Sequence, residues 1–179
     1  MARYAAFLRG MNLGKRRITN EDLCACFSAL GCAQVSAFLA SGNVVFESKL
    51  KDEAKVQALI EKGLKEALNY TVPTFLRSAD EVCAIAAHQP FTEDQVKASR
   101  GKPQVGLLAT SPGAAARKLV LSLSTTDDCL DIHGRELYWL PSGGILETGL
   151  DLKAIEKALG PMTVRTFNTM ERLTAKHFT

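Results

Sequence analysis

The prediction of the fold starts from the stretch VSAFLASGNVVFES, residues 35–48. Val35, Ala37 and Leu39 recur at every second position, which is the side-chain period of a strand. The run VVFES follows after the short polar segment Ser41-Gly42-Asn43. Glycine and asparagine readily adopt the positive φ angles of tight hairpin turns. The stretch therefore predicts two strands joined by a tight turn.

A strand and a helix are predicted before this hairpin. Residues 4–9 form a short apolar run that ends in arginine, typical of a buried strand. Thr19 and Asp22 have the spacing of a helix capping box, with the shorter acid in the second position. The helix they open should end at Gly31, because glycine is favoured just beyond a helix C-terminus.

A second helix and a last strand are predicted after the hairpin. Residues 51–69 place apolar side chains four apart, with charges on the opposite face. Residues 71–77 read TVPTFLR, a strand in which Pro73 favours an edge or a strand start. The first half of the chain therefore has the order βαββαβ.

The same order recurs in the second half, after a helix at 78–88 and a polar connection at 92–103. The predicted elements are a strand at 104–110, a helix at about 112–121, strands at 128–133 and 136–141, a helix at 150–160, a strand at 162–167, and a C-terminal helix capped by Asn168. The segment KLVLSLST, 118–125, fits a strand as well as a helix end. We predict an α+β protein of two ferredoxin-like βαββαβ subdomains with antiparallel sheets. The first subdomain comprises residues 1–95 and includes the linking helix. The second comprises residues 96–179 and includes the C-terminal helix.

The positive charge of the chain is local. The net charge is +3, but residues 1–20 alone contribute +5, so the remaining residues sum to −2. The cations of this segment are Arg3, Arg9, Lys15, Arg16 and Arg17. In a βαββαβ unit the loop after the first strand and the turn between the second and third strands lie at the same edge of the sheet. We therefore expect the 9–17 loop to meet Ser41, Gly42 and Asn43.

Known nucleotide motifs do not match this loop. GMNLGKR has three residues between its glycines, not the four of the phosphate loop GxxxxGK[ST], and Arg16 replaces the hydroxyl that binds magnesium. The dinucleotide signature GxGxxG is missing as well. What remains is general chemistry, since glycine loops near helix starts expose N–H groups and arginine binds phosphate bidentately. The alternative is a solvated basic turn.

The sequence gives little indication of metal, cofactor, RNA or membrane binding. The three histidines are isolated and the five cysteines form no CxxC pair, so we expect neither a metal nor a cofactor. Asp127 and Asp128 fit a solvated turn, and Trp139 fits the core. The third strand lacks the aromatic motif of RNA-recognition modules, which leaves Phe46 alone. No apolar run approaches the roughly 20 residues of a membrane span, so we expect a cytoplasmic protein without membrane contact.

Three blocks of the sequence resemble the domain-of-unknown-function 1697 family. They are YAAFLRGMNLG, LASGNVVFES and TVRTFNTMERL. The resemblance implies a bacterial-type cytoplasmic α+β protein with two ferredoxin-like subdomains, and it implies no activity. It marks Arg9, Gly10, Asn12 and Gly14 in the first block, Ser41, Gly42, Asn43 and Phe46 in the second, and Arg165, Asn168 and Thr169 in the third.

These residues lead to one main hypothesis and two alternatives. The main hypothesis is non-catalytic binding of a phosphate-bearing ligand, a nucleotide or a nucleic acid. The predicted binding residues are Arg9, Gly10, Asn12, Gly14, Lys15, Ser41, Gly42, Asn43, Arg165, Asn168 and Thr169. The first alternative is an enzyme acting on a phosphorylated or carboxylated metabolite, for which no base is evident. The second is a structural role for the three blocks.

Overall fold

The computed structural model describes residues 1–14, 16–39 and 42–179, apart from the side chain of residue 145. Within these residues the chain has a mixed α/β structure, with two four-stranded antiparallel sheets and seven α-helices. It divides into two compact units. Met1–Cys83 and His177–Thr179 form the first, and Ala84–Lys176 form the second. The predicted domain boundary between residues 95 and 96 stays a prediction.

The first unit contains one sheet and the helices that follow its strands. Its elements are β1 Ala2–Leu8, α1 Asn20–Ala29, β2 Ala33–Ala37, β3 Asn43–Ser48, α2 Glu53–Leu68 and β4 Thr74–Ser78, followed by α3 Ala79–Ala87, which continues into the second unit. The strand order is β2-β3-β1-β4, so β1 lies inside the sheet between β3 and β4.

Local sequence signals explain where α1 and α2 begin and end. The Thr19 hydroxyl accepts the Asp22 backbone N–H at 3.0 Å and donates to the Asp22 carboxylate at 2.9 Å. Gly31, with φ +84°, follows the end of α1. Asp52 caps α2 by accepting from the Lys55 N–H at 3.2 Å. These caps satisfy N–H groups that have no partner inside a helix.

The core of the first unit lies between the sheet and the two helices α1 and α2. Leu23 and Phe27 from α1 pack with Ile60 from α2 and with Phe46 from the sheet, all at most 3% exposed. The rings of Phe27 and Phe46 lie 5.3 Å apart at an interplanar angle of 59°. Apolar side chains spaced along each helix thus bury one face and leave the charged face in water.

The second unit has its own sheet. Its elements are α4 Glu93–Ala98, β5 Gln104–Leu108, α5 Ala114–Ser122, β6 Cys129–His133, β7 Glu136–Leu140, a 3₁₀ turn at Ile145–Glu147, α6 Leu152–Leu159, β8 Met162–Thr166 and α7 Phe167–His177, whose last residue belongs to the first unit. The strand order is β6-β7-β5-β8. Trp139, Leu108 and Ile155 belong to its core, so the expectation for Trp139 is confirmed.

Two predictions about elements in the second half are wrong, and one ambiguity is settled. The polar connection 92–103 contains α4, which begins with a full capping box between Thr92 and Gln95. Asn168 lies inside α7 and does not cap it; the Thr166 hydroxyl accepts the Thr169 N–H at 3.2 Å, as an N-cap does. Residues 118–122 of KLVLSLST end a helix and do not form a strand.

None of the described helices combines the length and the apolar character that crossing a membrane requires.

Candidate functional site

The candidate site begins at the loop between β1 and α1. Gly10 and Gly14 have φ angles of +74° and +60°, which glycine adopts without the steric cost that a Cβ brings. The Arg16 N–H donates to the Leu13 carbonyl at 3.1 Å, closing a turn inside the loop. The loop is therefore folded upon itself soon after the chain leaves the sheet.

The side chain of Arg17 holds this fold from within. Its Nη1 atom lies 3.2 Å from the carbonyl oxygen of Asn12, 3.1 Å from that of Gly14 and 2.7 Å from that of Arg16. The two hydrogens of this atom are shared among three carbonyl oxygens, which are the negative ends of three peptide dipoles. Carbonyl oxygens that would repel an anion are occupied by a cation of the loop itself.

Arg9 lies at the start of the loop and is half-buried. Its backbone N–H donates to the Pro73 carbonyl at 3.0 Å, which fixes the loop to the segment before β4.

Arg16 is exposed to solvent, and its guanidinium contacts an aromatic ring. Its guanidinium carbon lies over the Tyr70 ring, 4.1 Å from the centroid. The Tyr70 hydroxyl donates to the Met11 carbonyl at 3.3 Å. Sequence reasoning missed Tyr70, because it lies more than 50 residues beyond the loop, at the end of α2.

The loop meets the predicted hairpin at Gly42. The Gly42 carbonyl accepts the Leu8 N–H at 2.8 Å. A Cβ at Gly42 would lie 3.2 Å from both Leu8 Cβ and Met11 Cγ, and the residue has φ +71°. Only glycine fits both the backbone angle and the space without displacing a neighbour.

A cavity of about 260 Å³ lies where these segments meet. Its walls include Asn12 and Gly42, together with Thr19, Asn20 and Glu21 from the start of α1. Asn12 is exposed, so its amide is available to a ligand. The cavity is small, and its lining mixes these polar residues with apolar side chains from Met11, Ile18 and Leu23; its volume is sufficient for a phosphate group.

The start of α1 is already supplied with negative charge. Glu21 and Asp22 occupy its first turn, where carboxylates compensate the positive end of the helix dipole. The Asp22 carboxylate accepts from Thr19. A helix N-terminus as the anion site, which the sequence allowed, is therefore less suitable than the loop itself.

The structure describes only some of the remaining predicted residues of the first unit. Lys15 and Ser41 lie outside the described residues. Asn43 is 1% exposed, and its side-chain amide donates to the Phe38 carbonyl at 3.0 Å, while the Phe38 N–H donates to the Asn43 carbonyl at 2.8 Å. These bonds close the hairpin. Ligand binding by Asn43 stays a prediction.

The predicted residues of the third block lie in the second unit. Arg165 Nη1 donates to the Thr163 hydroxyl at 2.8 Å and to the Val164 carbonyl at 2.9 Å. Burial lowers the pKa of the Arg165 guanidinium to about 10, so it stays protonated at neutral pH. The Thr169 hydroxyl lies 2.8 Å from that of Thr166, and Asn168 is exposed on α7.

The second unit also contains an open cavity of about 1360 Å³ that the sequence did not predict. Its lining includes Asp131 and Cys129 from β6, and Arg100. His88 Nε2 lies 3.4 Å from the Asp131 carboxylate, and the His88 ring stacks on His133 with 4.6 Å between centroids. Two of the three histidines, which are isolated in the sequence, therefore lie together in the second unit. His88 and Asp131 are 43 positions apart in the chain, which hides the pair from any spacing rule.

Asp128 is not part of a solvated turn, contrary to prediction. It is 3% exposed and accepts the Trp139 indole N–H at 2.9 Å, while its neighbour Asp127 is exposed. Tyr138 is 2% exposed, so it offers no stacking surface.

Among the described residues, no group of three or more histidine, cysteine, aspartate or glutamate side chains is placed to hold a metal ion. All five cysteines are free thiols. Burial raises the pKa of the Cys32 thiol, and burial followed by the nearby Asp22 charge raises that of Cys26.

Together these features define an α+β protein of two units, each with a four-stranded antiparallel sheet. The chain belongs to the DUF1697 family, described as "Protein of unknown function (DUF1697)", whose model matches residues 1–138. Among solved structures it is similar to the conserved bacterial protein SP0830 from Streptococcus pneumoniae, with a TM-score of 0.74 and 20% sequence identity over 98% of this chain and 99% of that one. At this identity the likeness concerns the fold alone. Comparison with curated proteins gives no match.

Proposed function

We propose that the loop between β1 and α1 binds a phosphate-bearing ligand, a nucleotide or a nucleic acid, without converting it. The observation that carries the proposal is the Arg17 guanidinium, which takes up three carbonyl oxygens of the loop. With those oxygens satisfied, the loop keeps its positive charge, and Asn12 connects it to the cavity at the start of α1. Residues 9–19 contain four cations and no acid, a local charge of +4.

Each group has a distinct role in the proposal. Arg9 and Arg16 supply guanidinium groups, which bind phosphate oxygens through paired hydrogen bonds. Asn12, at the cavity wall, orients the ligand through its amide. Gly10 and Gly14 let backbone N–H groups approach a phosphate closely, and Gly42 forms the opposite wall. Lys15 and Ser41 are included from the sequence.

The other residues of the predicted site have separate parts in the proposal. The amide of Asn43 is engaged inside the hairpin, so its proposed part is to shape the wall next to Gly42. Arg165, Asn168 and Thr169 are proposed as further contacts on the strength of the sequence blocks. Their participation is tested separately from that of the loop.

A binding screen with charge-matched variants tests the proposal. Binding of pyrophosphate, nucleoside diphosphates and short oligonucleotides is measured by calorimetry for the wild type and for Arg9→Ala, Arg16→Ala and Arg165→Ala. Lys118→Ala, which removes an exposed cation from α5, is the control. We expect the two loop variants to weaken binding about tenfold or more and the control to leave it unchanged, since a charge-assisted hydrogen bond contributes about 1.5–3 kcal/mol. Equal affinities in all variants would end the proposal.

An enzymatic function is the second candidate, because the cavity contains a carboxylate. Glu21 lines the wall beside Asn12, where it could accept a proton from a bound metabolite. Under this alternative a panel of phosphorylated and carboxylated metabolites reveals turnover, and Glu21→Gln abolishes turnover while leaving binding intact. Turnover that survives in Glu21→Gln would exclude Glu21 as the base.

We also propose a fold type and a cellular location for the protein. Each unit has the strand order expected for a ferredoxin-like fold, with the second and fourth strands of the set at the edges. We infer two ferredoxin-like domains, residues 1–95 and 96–179. Five free cysteines suit a reducing bacterial cytoplasm.

A further inference from the structure

The Arg16–Tyr70 pair differs from an ordinary surface cation in one respect. The guanidinium lies over the Tyr70 ring at 4.1 Å from its centroid, while Arg16 is exposed to solvent. A guanidinium is a plane with two faces, and at this distance the ring lies against one side of the group. The other face is left for a second planar group.

Tyr70 is held in a way that keeps this plane in place. Its hydroxyl donates to the Met11 carbonyl at 3.3 Å, and its ring packs against the core of the first unit. The Arg16 N–H is bound to the Leu13 carbonyl at 3.1 Å. The backbone of Arg16 and the Tyr70 ring that its guanidinium contacts are therefore both held in place before any ligand arrives.

An exposed apolar side chain accompanies the pair. Leu13 is 66% exposed, although it belongs to the same turn as Arg16. A bare phosphate binds a guanidinium through its edge, so it gains nothing from a leucine or from the face of a stacked plane. A nucleobase gains from both, because bases stack on guanidinium planes and on apolar side chains.

We propose that the ligand of the loop is a nucleoside phosphate whose base stacks on the outer face of Arg16 while its phosphates contact the loop. This inference rests on the proposed function and adds the base to it. The base continues the stack begun by Tyr70, with Leu13 at its edge. A free nucleotide and the end of a nucleic-acid strand both present this chemistry.

The comparison of ADP with inorganic pyrophosphate tests the inference, because both contain two linked phosphates and only one contains a base. Affinities are measured by calorimetry at one salt concentration. We expect ADP to bind roughly 5- to 150-fold more tightly, as a stacked base contributes about 1–3 kcal/mol.

Three variants test whether the difference between ADP and pyrophosphate affinity comes from stacking of the base. Arg16→Lys keeps the charge and removes the plane, so the preference for ADP over pyrophosphate should disappear, while the loss of paired hydrogen bonds weakens the binding of both ligands. Tyr70→Leu should remove the preference for ADP as well. Tyr70→Phe keeps the ring and removes only the hydroxyl, so it should retain most of the preference for ADP.

The outcomes separate this inference from the function on which it rests. Equal binding of ADP and pyrophosphate to the wild type overturns the base contact and leaves phosphate binding in place. Binding of neither ligand, nor of a 5′-phosphorylated oligonucleotide, overturns both. Where the base preference is found, tighter binding of the oligonucleotide identifies a strand as the source, and tighter binding of ADP identifies a free nucleotide.

Discussion

The guanidinium of Arg17 donates to the carbonyl oxygen of Gly14 at 3.1 Å, and so joins the end of the loop after β1 to its middle. The contact is exposed to solvent, so it adds little to the stability of the whole protein. It affects the loop, because the same guanidinium contacts three of the backbone carbonyl groups there. A surface residue thus determines the shape of the candidate site.

Replacing Arg17 by alanine should loosen the loop without unfolding the protein. We expect amide hydrogen exchange of residues 10–18 to accelerate, while the free energy of unfolding changes by less than about 1 kcal/mol. Phosphate-ligand affinity should fall about tenfold or more, because the ligand must then order backbone at roughly 1–2 kcal/mol per residue.

Arg17→Lys is the control for that experiment. If lysine restores affinity while the exchange of residues 10–18 stays fast, Arg17 contributes charge alone, and the bracing role is wrong.

Alanine at Gly42 should destabilise the first unit. The left-handed backbone conformation costs an L-residue about 1–2 kcal/mol, and a Cβ would lie 3.2 Å from Leu8 Cβ, so we expect a loss of about 1–3 kcal/mol in urea unfolding. Gly149→Ala is the matched control, since a Cβ there meets nothing within 4 Å. It should change stability by less than about 0.5 kcal/mol. A neutral Gly42→Ala would show that the loop and the hairpin are not in contact.

Two adjacent aspartates should respond differently to alanine. Asp128→Ala leaves the buried indole N–H of Trp139 without its 2.9 Å acceptor, which should cost about 1–3 kcal/mol in denaturant unfolding. Asp127→Ala removes an exposed carboxylate and should be within about 0.5 kcal/mol of wild type. Asp128→Asn keeps an acceptor oxygen, so it should lose less than alanine does. Equal effects at 127 and 128 would contradict the buried position of Asp128.

Stability should fall in alkaline solution because of the buried thiols. Burial raises the pKa of Cys32 above the usual 9.0, so the folded state holds its proton more tightly than the unfolded state does. The resulting stabilisation is present below the unfolded pKa and is lost as the pH rises through the folded one. Urea unfolding at about pH 8 and about pH 10.5 should show that Cys32→Ala declines less steeply than wild type. Parallel declines would contradict the shift.

Local signals in the sequence were sufficient for most of the fold. The turn at Gly42, the caps Thr19 and Gly31, and the periodicity of α2 each depend on residues a few positions apart, and each marks an element that the structure contains. The prediction that Asn168 caps the C-terminal helix was wrong because Thr166, two residues earlier, has the same capping chemistry.

The contacts of the candidate sites were harder to predict because they join distant parts of the chain. Arg16 meets Tyr70, and Asp131 meets His88, only once the strands are ordered in their sheets. The burial of Asp128 depends likewise on the position of Trp139 in the core. No periodicity or spacing rule encodes such pairs.

We propose that the loop between β1 and α1 binds phosphate-bearing ligands, and a titration followed by ¹H–¹⁵N NMR tests this proposal. Pyrophosphate is added to the wild-type protein at low salt while the backbone amides are monitored. We expect saturable shifts centred on residues 9–19 and on Gly42, and their loss in Arg9→Ala. Shifts that are absent, or that centre on the large cavity around Asp131, would contradict the claim.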